Sequence, residues 1–137
     1  MHRPQCVAVV DDDASIREAI DGLLRSAGLR VAAFGSAEEF LQSDYLNDSS
    51  CVIADVQMPA MSGLDLLAYM RAHGYGAPVI FITAFPEASV RARALKAGAI
   101  CLLAKPFAGL ALINCIEAAL NRGKSETGGR DDDGEAS

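Results

Sequence analysis

The chain has 137 residues, of which 51% are hydrophobic, and a formal net charge of −6. This length suits one domain with a single core, and no apolar run reaches the roughly 18 residues that a membrane span needs. A negative net charge is not what a nucleic-acid-binding surface requires. The N-terminus lacks the apolar stretch of a signal peptide. We therefore expect a cytoplasmic protein that binds neither nucleic acid nor membrane directly.

Residues 1–122 alternate between strand-like and helix-like patterns. The predicted strands are continuous apolar runs, as in strands that are buried on both faces. They are Cys6–Val10, Arg30–Phe34, Cys51–Ala54, Pro78–Thr83 and Ala99–Leu103. The predicted helices follow them in turn: an apolar stripe from Ile16 to Ala27, a short helix through Phe40 and Leu41, one from Leu64 to about Gly74, one over Ala88–Ala97 and one over Phe107–Leu120.

Several helix ends carry recognisable signals. Asp13 is a plausible N-cap of the first helix, Ser15 and Glu18 have the spacing of a capping box, and Gly28 suits the C-terminal stop. Ser36 can cap the second helix. Leu110 belongs to the apolar stripe that is expected for the fifth helix.

Five strand–helix units in about 120 residues predict a parallel sheet with helices on both faces. Right-handed crossovers favour the flavodoxin-like (βα)5 fold with strand order 2-1-3-4-5. Residues 123–137, which include a second aspartate triple at 131–133, have no aliphatic side chain larger than alanine. They are predicted to form a disordered acidic tail.

Polar residues follow the predicted strands at the edge where ligands bind in such sheets. Asp11 and Asp12 follow the first strand, Asp55 the third, Thr83 ends the fourth and Lys105 follows the fifth. Clustered carboxylates are tolerable around a divalent cation, and oxygen-only ligands favour Mg²⁺. A carboxylate can also be a nucleophile that forms an aspartyl phosphate. The metal and a lysine would offset charge on the phosphoryl oxygens.

The four cysteines are Cys6, Cys51, Cys101 and Cys115. They form no CxxC pair, and none has a histidine at zinc spacing. We expect reduced, buried thiols that act as small hydrophobic residues.

Five sequence segments carry a family resemblance. They are VVDDD (9–13), ADVQMPAMSGLDLL (54–67), PVIFITA (78–84), AGA (97–99) and LLAKPF (102–107). In this order and at these spacings the chain resembles the receiver domain of two-component response regulators, and the wording of the second and last segments, around MPAMSGLDLL and KPF, is most similar to the FixJ-like subgroup.

The resemblance implies roles for the residues at the sheet edge. Asp55 would be the phospho-acceptor, Thr83 the switch hydroxyl and Lys105 the phosphate-binding lysine. Asp12 would bind Mg²⁺ directly and Asp11 largely through water. Asp55 and the backbone carbonyl of Gln57 would complete the protein ligands. The Lys105–Pro106 peptide is expected to be cis, and Asp13 is assigned to helix capping instead of the site.

Two positions depart from the common family pattern. Leu102 stands where many receivers have an aromatic switch residue, so the resemblance does not extend to such a switch. Phe85 is apolar where polar residues often occur, and with Gln57 it is expected to tune the lifetime of the phosphoryl group.

The resemblance further implies a signalling role. A sensor histidine kinase or a histidine phosphotransfer protein would phosphorylate Asp55 and so switch a surface that binds a downstream protein. The fourth helix, fifth strand and fifth helix could form a phosphorylation-dependent dimer. The chain is expected to be a stand-alone regulator. The alternative is the isolated receiver of a FixJ-like DNA-binding transcription regulator.

A second class of function remains open at this point. The expected receiver is not an enzyme beyond its own phosphorylation and dephosphorylation. Asp11-x-Asp13 also resembles the nucleophile motif of haloacid-dehalogenase phosphohydrolases, although Ala14 and Ser15 depart from that motif. In such an enzyme Asp55 would have no function.

Overall fold

The structure is a computed structural model and describes residues 5–127 of the chain. Residues 1–4 and 128–137, and with them most of the predicted acidic tail, lie outside the described part. The elements in chain order are β1 Cys6–Val10, α1 Ala14–Ser26, β2 Arg30–Phe34, α2 Ala37–Leu41, α3 Tyr45–Asp48, β3 Cys51–Asp55, α4 Gly63–Ala72, β4 Val79–Thr83, α5 Ala88–Lys96, β5 Cys101–Ala104 and α6 Gly109–Thr127.

The five strands form one sheet in the order β2-β1-β3-β4-β5, and every neighbouring pair is parallel. This confirms the predicted flavodoxin-like fold. In the register, Asp55 lies opposite Ile82 and Thr83 lies opposite Ala104. The carboxyl ends of β1, β3, β4 and β5 therefore meet at one edge, which is where the polar residues of the sequence were expected to converge.

Alternating residues of the strands separate the core into two layers. Val7, Val9, Ile53 and Ile80 pack on the face that is covered by α1 and α6. Ala8, Val10, Ala54 and Phe81 pack on the face covered by α2, α4 and α5. A strand whose side chains are apolar on both faces is stable only between two such layers. The uninterrupted apolar runs in the sequence thus follow directly from the double layer.

Capping residues set the start of α1 and α4. Asp13 is the N-cap of α1, as predicted, and accepts a hydrogen bond from the Ser15 backbone N–H at 2.9 Å. Ser15 and Glu18 do not form the predicted capping box, because the helix is already capped at Asp13. A complete box instead begins α4, where Ser62 and Asp65 bond each other's backbone N–H groups.

Two helical regions differ from the sequence prediction. The segment after β2 contains two short helices, α2 and α3, where one helix was predicted. In α6 the buried stripe consists of Leu112, Ile116 and Ala119, whereas Leu110 is 71% exposed. Leu110 lies two residues before Leu112, about 200° around the helix from it, so it faces away from the sheet. The helix also continues to Thr127, beyond its predicted end at Leu120.

All four cysteines are free thiols. Cys6 and Cys51 are buried, as predicted, whereas Cys101 and Cys115 are only half-buried and contact each other. Burial is the main reason that the pKa of the Cys51 thiol is raised to about 12, and that of Cys115 is raised to a similar value. Among the helices of residues 5–127, none is long and apolar enough to cross a lipid bilayer.

Candidate functional site

The acidic residues that were predicted to form a site lie together at the carboxyl edge of the sheet. Asp11 and Asp12 directly follow β1, and Asp55 is the last residue of β3, the neighbouring strand. One carboxylate oxygen from each of the three residues lies within 4.8 Å of the others. Asp11 and Asp55 are buried and Asp12 is exposed, so the cluster is accessible from one side.

Lys105 provides positive charge for two of these carboxylates. Its Nζ lies 3.1 Å from Asp55 Oδ2, to which it donates a hydrogen bond, and 3.1 Å from Asp11 Oδ2. The residue follows β5, and its backbone N–H donates to the Thr83 carbonyl at 2.7 Å. The Lys105–Pro106 peptide is cis, as expected.

The environment shifts the pKa of both members of this pair. Burial, followed by the nearby Asp11 charge, raises the pKa of the Asp55 carboxyl, and the contacts with Lys105 and the Gln57 N–H only partly oppose this. Burial alone would lower the pKa of the Lys105 ammonium, but its hydrogen bond to Asp55 and the nearby negative charges of Asp55 and Asp11 outweigh burial and raise it. Lys105 is therefore charged at neutral pH.

Backbone groups hold the other oxygen of each buried carboxylate. Asp55 Oδ1 accepts from the Gln57 N–H at 3.1 Å, and Asp11 Oδ1 accepts from the Asp13 N–H at 2.9 Å. Arg17 of α1 donates to the Asp11 carbonyl at 2.7 Å, a contact that the sequence analysis did not foresee. The two carboxylates are thus fixed in orientation, with one oxygen of each directed towards Lys105.

These residues fit a hard divalent cation. Asp11 Oδ2 is buried and has no hydrogen-bond partner, although it faces the Lys105 charge. A buried carboxylate oxygen in this state is costly. Carboxylate oxygens of Asp11, Asp12 and Asp55 form an all-oxygen donor set, open to solvent on the side of Asp12, of the kind that suits Mg²⁺.

Thr83 is fully buried at the end of β4, on the same sheet edge. Its hydroxyl donates to the Gln57 side-chain Oε1 at 2.8 Å and accepts from the Phe85 N–H at 3.0 Å. The structure thus brings Thr83 next to the residues of the acidic site but engages its hydroxyl with Gln57. The backbone carbonyl of Gln57 was expected as a metal ligand, whereas this contact of its side chain was not predicted.

Gly63 is a further residue of the site that the sequence analysis missed. It begins α4, and its N–H donates to the Val56 carbonyl at 3.0 Å. A Cβ atom added at this position would lie 2.4 Å from the Asp55 carbonyl oxygen and 3.0 Å from the Phe81 ring. Only glycine allows α4 to approach the Asp55 backbone so closely. The signal in the sequence is a glycine directly after the Ser62 cap.

Asp13 does not belong to the site. Its exposed carboxylate caps α1 through the Ser15 N–H, and it is absent from the acidic cluster of the described residues. The phosphohydrolase hypothesis required Asp13 beside Asp11 and gave Asp55 no function. The structure instead pairs Asp11 with Asp55 through Lys105.

Fold and site together define a flavodoxin-like α/β domain with an acidic pocket at the carboxyl edge of its sheet. A sequence model described as the response regulator receiver domain matches residues 7–117. The chain belongs to this family.

Curated relatives support the FixJ-like subgroup. The chain is 42% identical over 116 residues to nodulation protein W of Bradyrhizobium diazoefficiens, covering 85% of this chain and 51% of the relative. It is 39% identical over 127 residues to the transcriptional regulatory protein FixJ of Azorhizobium caulinodans, covering 93% of this chain and 59% of the relative. The chain spans about half the length of the curated relatives it matches.

Solved structures agree with this result. The response regulator StyR superposes with a TM-score of 0.80 at 42% identity, covering 91% of this chain and 66% of StyR. The structure of FixJ-N superposes with a TM-score of 0.78 at 31% identity, covering 88% of this chain and 96% of that one. A receiver domain from Clostridium thermocellum gives 0.81 at 31% identity, with 88% and 97% coverage.

Proposed function

We propose that this chain is a phosphorylation-controlled signalling domain that accepts a phosphoryl group on Asp55. The donor is a sensor histidine kinase or a histidine phosphotransfer protein. The observation that carries the proposal is the arrangement around Asp55: a buried carboxylate with Lys105 at 3.1 Å and two further aspartates within 4.8 Å. Such a pocket combines a nucleophile with the charges that phosphoryl transfer requires.

The proposal includes Mg²⁺ as cofactor. Asp11, Asp12, Asp55 and the backbone carbonyl of Gln57 would hold the ion. When bound, Mg²⁺ neutralises negative charge on the phosphoryl group and on the carboxylates.

In the transfer step an oxygen of Asp55 forms a bond to phosphorus while the bond from phosphorus to the donor nitrogen breaks. The electron pair of that bond leaves with the donor imidazole. Hydrogen bonds from Gln57 N–H and Lys105 orient the Asp55 carboxylate, and the Lys105 ammonium lies where it can stabilise the charge on the phosphoryl oxygens. Asp55 is consumed in each transfer, so we classify the domain as a phospho-acceptor and not as an enzyme with turnover.

The proposed switch is the Thr83 hydroxyl. A phosphoryl oxygen on Asp55 offers it a charged acceptor, which is stronger than a neutral amide oxygen. Movement of the hydroxyl towards this oxygen releases the Phe85 N–H, and with it the loop that leads into α5. The change is thereby transmitted to the surface of α5, β5 and α6, which carries the exposed residues Arg91, Arg93, Leu95 and Lys96. We propose this surface as the face for a downstream protein or for a second copy of the chain.

The test is an intact-mass measurement after incubation with Mg²⁺ and acetyl phosphate. We expect an increase of about 80 Da, the mass of one phosphoryl group, on the wild-type chain. The Asp55→Asn variant should show no adduct, whereas Asp13→Asn should be labelled normally because Asp13 only caps α1. An adduct that survives Asp55→Asn and is lost in Asp11→Asn would refute the proposal.

A second candidate follows from the relatives. FixJ and TdiR are described as transcriptional regulatory proteins, and this chain matches only about half of their length. In that case the receiver controls a DNA-binding partner domain, for which dimerisation is the natural output because operators have two-fold symmetry. Sedimentation of the phosphorylated chain separates the candidates: a dimer favours transcriptional control, and a monomer favours signalling through a different protein. The four free thiols are in keeping with a cytoplasmic location for either.

A further inference from the structure

We propose that the Gln57 side chain is a positioning residue that holds the Thr83 hydroxyl away from Asp55 and so opposes phosphorylation. In this role it acts as a latch on the unphosphorylated state. The inference rests on the proposed function, because it assigns a regulatory residue to the same site.

The hydrogen bonds of Thr83 are the first observation that supports this role of Gln57. A hydroxyl has a single hydrogen to donate, and Thr83 donates it to Gln57 Oε1 at 2.8 Å. The same oxygen also accepts the Phe85 N–H at 3.0 Å, which fixes the rotation of the side chain. Thr83 therefore cannot donate to a phosphoryl oxygen on Asp55 until it releases Gln57.

Thr83 and Gln57 differ in burial, so only Thr83 depends on the hydrogen bond between them. Thr83 is fully buried, so water cannot replace a lost partner of its hydroxyl. Gln57 is exposed and lines a cavity of about 480 Å³ together with Met58, Ser62 and Arg93. Its amide is free to turn towards solvent once the bond is broken. The Thr83 hydroxyl thus needs either Gln57 or the phosphoryl group, whereas Gln57 does not need Thr83.

The position of Gln57 connects it to the acceptor as well. Its backbone N–H donates to Asp55 Oδ1 at 3.1 Å, while its side chain bonds Thr83. A substitution of the side chain keeps the backbone contact with Asp55 and the backbone carbonyl that would face the metal. The side-chain bond to Thr83 can therefore be removed while the backbone hydrogen bond that orients Asp55 is kept.

These hydrogen bonds give the direction in which loss of the Gln57 amide changes the binding of a phosphoryl analogue. Without the Gln57 amide the unphosphorylated state loses a hydrogen bond, whereas a state in which Thr83 bonds the phosphoryl group loses none. A typical net contribution of one hydrogen bond corresponds to a change of about three- to tenfold in an equilibrium constant. We expect a phosphoryl analogue to bind the unlatched protein more tightly by about this factor.

The test measures beryllofluoride affinity in the presence of Mg²⁺ by isothermal titration calorimetry, for wild type, Gln57→Met, Thr83→Val and the double variant. Methionine has a similar shape but no carbonyl to accept the bond. Gln57→Met should bind beryllofluoride about three- to tenfold more tightly than wild type. In the Thr83→Val background the same change should have no effect, because the hydroxyl on which the latch acts is gone. In the Thr83→Ser background, which keeps the hydroxyl, Gln57→Met should still tighten beryllofluoride binding.

A second readout follows Thr83 itself. The ¹³C shift of its methyl group in the free protein should differ between wild type and Gln57→Met, since the Thr83 hydroxyl loses its acceptor. Urea unfolding checks that Thr83→Val is folded, and Thr83→Ala serves as the background if it is not.

Two results would contradict the proposed role of Gln57 as a latch. One is unchanged or weaker beryllofluoride binding by Gln57→Met. The other is an equal gain in the background without the hydroxyl, which would place the action of Gln57 on the phosphoryl group directly. Failure of the proposed function gives a different result: wild type binds no beryllofluoride, or the binding survives Asp55→Asn.

Discussion

The close approach of α4 to β3, the strand that ends at Asp55, makes Gly63→Ala the most informative stability variant. The added Cβ would lie 2.4 Å from the Asp55 carbonyl oxygen, against an ordinary contact of 3.4–4 Å, so the helix start must move by about 1 Å. Overpacking of this kind costs about 1–3 kcal/mol. Displacement also strains the bond from Gly63 N–H to the Val56 carbonyl, which contributes a further ~1 kcal/mol. We expect a loss of about 2–4 kcal/mol, reduced by up to ~1 kcal/mol by the better helix propensity of alanine.

Gly22→Ala is the matched control, because it makes the same substitution in the exposed part of α1. A Cβ at Gly22 meets no atom within 4 Å, so only the helix propensity changes and the variant should gain about 0.5–1 kcal/mol. Urea unfolding followed by circular dichroism measures both free energies of unfolding. The reasoning fails if Gly63→Ala is as stable as wild type, or if both variants shift in the same direction. In addition, Gly63→Ala should slow phosphorylation, because the added Cβ presses against the backbone of Asp55.

Two predictions concern the charges of the site. The raised pKa of Asp55 means that the folded state binds a proton more tightly than the unfolded state, so wild-type stability falls as pH rises from the ordinary carboxyl pKa of 3.8 through the higher folded value. In EDTA, Asp55→Asn should therefore melt at a higher temperature than wild type at pH 7, and the difference should shrink on acidification; a less stable variant at pH 7 would contradict this. Mg²⁺ at ten times its dissociation constant should stabilise wild type by about 1.4 kcal/mol. The effect on melting should largely vanish in Asp12→Asn and persist in Asp13→Asn, and equal responses of the two variants would argue against the assigned ligands.

The sequence was sufficient for the strands, their order and the composition of the acidic site. Each strand is an apolar run that ends at a polar residue, and parallel topology places those ends at one edge. For this reason Asp11, Asp55 and Lys105 could be brought together without coordinates. The observed strand ends differ from the predicted ones by no more than two residues, as at β5, which begins at Cys101 instead of Ala99.

The missed features depend on side-chain rotation or on close packing. The bond between Thr83 and Gln57 joins residues 26 positions apart, and both residues also have reasonable roles without it. The need for glycine at position 63 arises from a distance between α4 and β3 that no periodicity encodes. Leu110 was assigned to the apolar stripe because of its helical spacing to Ile113 and Ile116, whereas α6 is rotated so that Leu112 is buried and Leu110 is exposed.

The register of β3 against β4 sets the distance covered by the first step of the proposed signal, from Asp55 to Thr83. Asp55 lies opposite Ile82, and Thr83 is the next residue along β4, so the proposed acceptor and the proposed switch stand on adjacent strands about 4.8 Å apart. A change that passes between adjacent strands needs only a side-chain rotation, and no intervening residue has to move. Such rotations are fast compared with the making and breaking of phosphoryl bonds. The first step of the proposed switch, from Asp55 to Thr83, is then faster than the phosphoryl chemistry that starts and ends it.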